Sequence, residues 1–228
     1  MLRFFVISGA LFFAANSSAV EFSVGRASIQ FQEDQWREIS LIDPGLAYGG
    51  EVSGTINSET KVFAKTSRLG VLDAVVLIRG SSGGVQRGTM SYSPNCKAAA
   101  DWFARGNSGF KRPYAECFLV SPVYPGKAML EELGQDVVKA LGSDATKVPE
   151  VFQFIFSRYA NSNGTFLQVS MLLGPGLVGR TGVVGEELPR GIEPKFVLMG
   201  EDLTQAVRAS VMSLAGQAKL PAVAFDNK

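Results

Sequence analysis

Ser58-Glu59-Thr60-Lys61 sets a serine three residues before a lysine, the pairing in which an amine takes a hydroxyl proton and frees the oxygen to attack a carbonyl. A helical turn would bring the two side chains together. Val62, Phe63 and Thr66 instead favour a strand, which splays them apart. Gly80-Ser81-Ser82-Gly83-Gly84 fits the G-x-S-x-G of a hydrolase nucleophile elbow, which needs a strand before it and a helix after it. The strand is legible, but Val85 to Tyr92 reads as a returning strand. Histidine is absent from the chain, so the elbow serine lacks its usual base and a zinc site its usual ligand.

Gly174-Pro175-Gly176-Leu177-Val178-Gly179 fits G-x-G-x-x-G, but residues 180–185 make a poor helix on which to seat a pyrophosphate. No cofactor and no metal is expected. Glu186-Glu187 and Glu201-Asp202 are the carboxylate pairs available for acid and base work, and adjacent acids at a helix start answer to the helix dipole alone. Residues 174–191 form a long glycine-rich connection that reads as a mobile loop. Such loops are uncommon unless they bind, cover or link, so its polar residues Arg180, Glu186, Glu187 and Arg190 are the candidate binding residues.

The elements that would carry these residues are short. Ala27–Phe31, Trp36–Ile39, Glu51–Ile56, Lys61–Thr66 and Leu72–Ile78 have strand signals, with Arg79–Gly84 a hairpin loop. A helix capped by Ser93, with Pro94 at its first position and Gly106 at its end, would place Cys96, Ala99 and Phe103 on one face. Ala115–Ser121 reads as a strand and Lys127–Leu141 as a helix ended by Gly142. Asn163-Gly164 predicts a two-residue hairpin that pairs Ala160 with Leu167, Phe156 with Met171 and Phe154 with Leu173 on a core face. Tyr159, Gln168, Ser157 and Ser170 would take the wet face, with Arg158 out of pattern. Lys195–Met199 reads as a short strand and Glu201–Ala215 as a last helix ended by Gly216, after which the tail from Lys219 would fray. The sum is one α+β domain over 20–228: a mainly antiparallel sheet, about three helices and one disulfide.

Arg3, the apolar run Phe4–Ala15 and the small residues Ser17 and Ala19 follow the order of a secretory leader cut after Ala19. The run is too short to span a bilayer, so no stable membrane insertion is expected. The leader carries Arg3 away and leaves 21 cations against 21 anions, a balance that offers nucleic acid nothing. In an oxidising compartment the two cysteines, Cys96 and Cys117, pair as a disulfide. The expectation is a periplasmic or secreted domain that is not an enzyme and binds an unknown protein or small molecule. A serine hydrolase or transferase using Ser58 and Lys61, or a structural component of an envelope assembly, stands as the alternative.

Overall fold

The computed structural model of the protein describes residues 20–33, 35–39, 58–67, 69–82, 96, 98–107, 114–141, 147–161, 164–179, 181–213 and 216–225. The expected leader (1–19), the strands expected at Glu51–Ile56 and Val85–Tyr92, and Ser93, Pro94, Gly142 and Arg180 lie outside them. In chain order the elements are β1 (Val20–Val24), β2 (Ala27–Phe31), β3 (Trp36–Ile39), β4 (Ser58–Thr66), β5 (Leu72–Ser81), β6 (Phe103–Asn107) and β7 (Tyr114–Pro125). Then come α1 (Gly126–Leu133), α2 (Gln135–Leu141), β8 (Val151–Asn161), β9 (Phe166–Leu173), β10 (Leu177–Val178), α3 (Pro194–Met212), β11 (Gln217–Lys219) and β12 (Ala224–Phe225). The class is α+β with a mainly antiparallel sheet, as the pattern of short strands predicts.

Among the described residues the main sheet has the order β3-β4-β5-β9-β8-β7-β6, antiparallel throughout. Its centre is buried on both faces: every residue of β9 is buried, and β5 is buried at all but two positions. Continuous apolar runs are what such doubly covered strands need. On one face Phe63, Val76, Phe118, Ile155, Val169 and Met171 pack under α3 and under a second sheet of order β1-β2-β11. On the other, Val75, Leu77, Phe152 and Leu172 pack against Leu130, Leu133 and Val137 of α1 and α2.

Several expectations are overturned. The helix expected up to Gly106 is not present where it is described: residues 103–107 are the edge strand β6, paired with β7. The spacing of Cys96, Ala99 and Phe103 mimicked a helical face, but pairing with β7 governs, Phe103 meeting Val120 and Arg105 meeting Phe118. The strand expected at Lys195–Met199 is the start of α3, with Pro194 in its first turn, and all four residues Phe196–Met199 are buried. A short apolar run cannot be told from a strand by period alone. The helix expected over Lys127–Leu141 is two helices, broken at Gly134, whose φ is 116°. Arg79, Gly80 and Ser81 continue β5 instead of forming a hairpin loop.

The hairpin between Asn161 and Thr165 exists, but its register differs by one, and Asn163 lies outside the described residues. Asn161 closes against Thr165, and Gly164 turns with φ 86°, so Ala160 meets Phe166 and Ile155 meets Met171. That loop is one residue longer than a two-residue turn, and a slip of one re-pairs every side chain. Ser157 and Tyr159, expected on a wet face, are buried; Ser157 Oγ donates to Thr204 Oγ1 at 3.0 Å. Arg158 is half-buried opposite Gln168.

The tail is not frayed through residue 225. Strand β11 lies parallel to β2, Leu220 and Val223 are buried, and β12 pairs with β10. The buried Lys65 donates to the Val223 carbonyl at 2.6 Å with its ammonium over the rings of Trp36 and Phe225, and Glu33 accepts from the Val223 amide at 2.8 Å.

Candidate functional site

Where α3 crosses the β6–β7 edge, a cleft of about 340 Å³ opens between them. Its β wall comes from alternation: Arg105 pairs with Phe118 across the ladder, and Glu116 stands two residues before Phe118, so all three share a face. Its helical wall is Glu201, Thr204, Gln205 and Arg208, at spacings of three, four and seven that line one side of α3. Phe118 and Thr204 form the floor. Thr204 is committed to the fold, donating to the Gly200 carbonyl at 2.8 Å.

Two ion-pair systems close the cleft at its ends. Arg208 holds Glu116 in a fork of 2.7 and 2.6 Å, and Glu116 is only 14% exposed. Arg105 donates to Glu201 at 2.6 Å and, through its other terminal nitrogen, to Glu186. The Arg105 guanidinium also sits 5.4 Å from the centre of the Phe103 ring. Burial works against the charge on Arg105, but the bonds from Glu201 and Glu186 outweigh it and hold the group above its ordinary value. For Arg208 the bonds to Glu116 are the largest influence and raise it above its ordinary value, outweighing the opposing burial. Both arginines are therefore permanent cations, anchors for an anion and never proton donors.

Glu186 belongs to the glycine-rich connection, and its bond to Arg105 is how that connection meets the cleft. The segment is docked, contrary to the mobile loop expected. Leu177 and Ile192 are buried at its two ends, and Val184 and Leu188 pack on the core. A Cβ on Gly182 would stand 2.8 Å from Leu198 Cδ1, so glycine lets the backbone lie directly on α3. Of the candidate binding residues, Glu186 touches the cleft only through its bond to Arg105 and is not part of the lining; Glu187 and Arg190 are exposed and also away from it, and Arg180 is outside the described residues. Val183, beside Gly182, is 93% exposed.

Arg105, Glu116 and Arg208 escaped the sequence reading. Arg105 was hidden by the false helix, while Glu201 was ascribed to a helix start that lies seven residues upstream, at Pro194. The stripe Glu201, Thr204, Gln205 and Arg208 was a readable polar face.

The serine candidates are not assembled for catalysis. Ser58 and Lys61 stand three apart on β4 and so face opposite sides. Ser58 Oγ accepts from Arg79 Nε at 3.0 Å, and Lys61 pairs with Glu38 at 3.2 Å. Ser81 is buried, accepting from the Phe166 amide. The G-x-G-x-x-G run turns from β9 into β10, and no helix follows before Pro194 among the described residues. Cys96 and Cys117 are bonded, 5.2 Å apart at Cα, as expected, but the bridge ties β7 to the segment before β6 and not to a helix.

Among the described residues no cluster of His, Cys, Asp or Glu could hold a metal ion, and no helix is long and apolar enough to cross a membrane. A second cleft, of about 410 Å³, lies at the C-terminal end of α3, and Arg26 is the one charged side chain lining it. No family model, curated protein or solved structure matches the chain.

Proposed function

We propose that the protein is exported, periplasmic or secreted, and serves as a non-catalytic domain that binds a small ligand or a partner's side chains in the cleft between β6–β7 and α3. The leader-like order of residues 1–19 and the Cys96–Cys117 bond support export. One observation carries the binding role: the connection between β10 and α3 lays a carboxylate, Glu186, onto Arg105 at the cleft. Glu186 is 53% exposed and Arg105 46%, so their pair is worth about 1 kcal/mol at most. That pair can exchange for a ligand's group while Val184 and Leu188 keep the connection packed on the core. The Arg208–Glu116 fork, more buried on its acid side, forms the fixed end.

The test is a nuclear magnetic resonance screen of amino acids, short peptides and sugars against the oxidised protein. Saturable shifts at Arg105, Glu201, Gln205 and residues 181–191, lost in Arg105→Gln, support the reading. Shifts only elsewhere, or none, sink it. Intact mass of protein from its native host tests export separately, with Val20 as the expected first residue.

A further inference from the structure

Resting on that reading, we infer that the cleft takes a ligand carboxylate, which binds Arg105 in place of Glu186. The geometry points to a carboxylate because one already occupies the place. The guanidinium of Arg105 offers two faces: Glu201, on the rigid helix α3, holds one, and Glu186, on the connection, holds the other. Glu201 is the less exposed of the two acids, at 29% against 53%, and its backbone lies within a long helix. Only the Glu186 side is therefore exchangeable. A planar guanidinium edge vacated by one carboxylate accepts another in the same geometry.

The remaining lining says what else the ligand carries. Past Arg105 the walls present Gln205 and the Arg208–Glu116 fork, over the ring of Phe118. The Gln205 side chain suits a donor such as an amide or ammonium beside a short apolar stretch. A free amino acid or the C-terminal end of a peptide has both.

Glu186 is then a built-in competitor, and this separates the proposal from a merely structural ion pair. Removing its charge frees the Arg105 edge, and binding tightens by about threefold, the factor by which an exposed pair taxes its rival. The probes are butyrate, which copies the glutamate side chain, and acetyl-trialanine with a free C-terminus, each against its uncharged amide and against inorganic phosphate. All are titrated into the oxidised protein by magnetic resonance. The expected result is saturable binding of both carboxylates, no binding of the amides, a gain in Glu186→Gln and a loss in Arg105→Gln. Glu186 is on the surface, so its variant keeps the fold and the test stands if Arg105→Gln does not.

Equal binding of the amides, phosphate in preference to carboxylate, or an unchanged or weaker affinity in Glu186→Gln would overturn the inference. A neutral ligand seated at Arg105 and Gln205 would do so too, while leaving the cleft as the binding site. Silence of the cleft towards every probe and every member of the wider screen removes both.

Discussion

Gly200 of α3 lies directly on the Phe118 ring: a Cβ there would stand 2.0 Å from Cε2 and 2.5 Å from Cζ. The contact fixes how closely the helix approaches the sheet, and therefore how wide the neighbouring cleft is. Alanine is the better helix former by about 1 kcal/mol, but overpacking a core that cannot yield costs about 1–3 kcal/mol. Phe118 is 3% exposed, so the steric cost wins. Gly200→Ala should lower stability in urea by up to about 2 kcal/mol; a variant more stable than the parent would show that the ring can give way.

The Cys96–Cys117 bond closes a separation of 21 residues beside the edge strand β6. Loss of such a cross-link costs on the order of 3 kcal/mol in the chain-entropy model. The paired Cys96→Ala, Cys117→Ala variant should lose about that much unfolding free energy, with amide exchange rising first in β6 and β7. Uniform acceleration across the whole sheet would count against a local role at the edge.

Lys65 is buried, and its ammonium is the donor to the Val223 carbonyl. Lys65→Met keeps the stem but leaves that buried carbonyl unmet, at a cost of about 2 kcal/mol. Limited proteolysis should then cut after residue 219 where the parent resists. Unchanged resistance would mean that β11 and the Glu33 contact hold the tail by themselves.

Tyr159 stacks on Tyr114 with ring centres 5.3 Å apart and is buried. Burial raises its phenol above the ordinary tyrosine value, the negative field of Tyr114 adds to this, and Arg208 opposes it. A raised folded value means that the stability is intact below the unfolded tyrosine range, near 10, and is lost as pH climbs through the folded one. Tyr159→Phe should lose less stability than the parent above that range, as followed by chemical denaturation at stepped alkaline pH. Parallel curves for the two proteins would remove Tyr159 as the cause.

The predictions rest on contacts of unequal legibility. Ala27–Phe31 is a strand to the residue because its alternation is clean, and Trp36–Ile39 is one with two exposed polar residues between buried apolar ends. The disulfide was legible from composition alone. The first turns of α3 were not, because Phe196–Met199 are buried all round by the sheet and the docked connection, which erases the amphipathic period. Nor was the cleft: Arg105 and Arg208 are 103 residues apart in sequence, and only the packing of α3 across β6 and β7 brings them to one lining. Charge pairs across such a distance leave no local pattern.

Strand β11 lies alongside β2 with Ala218 opposite Ile29, a pairing between residues 189 apart in sequence. A ribosome delivers the chain from its amino end, and loops that long are slow to close. The small sheet thus acts as a clasp that stays open until β11 has been made and has found β2.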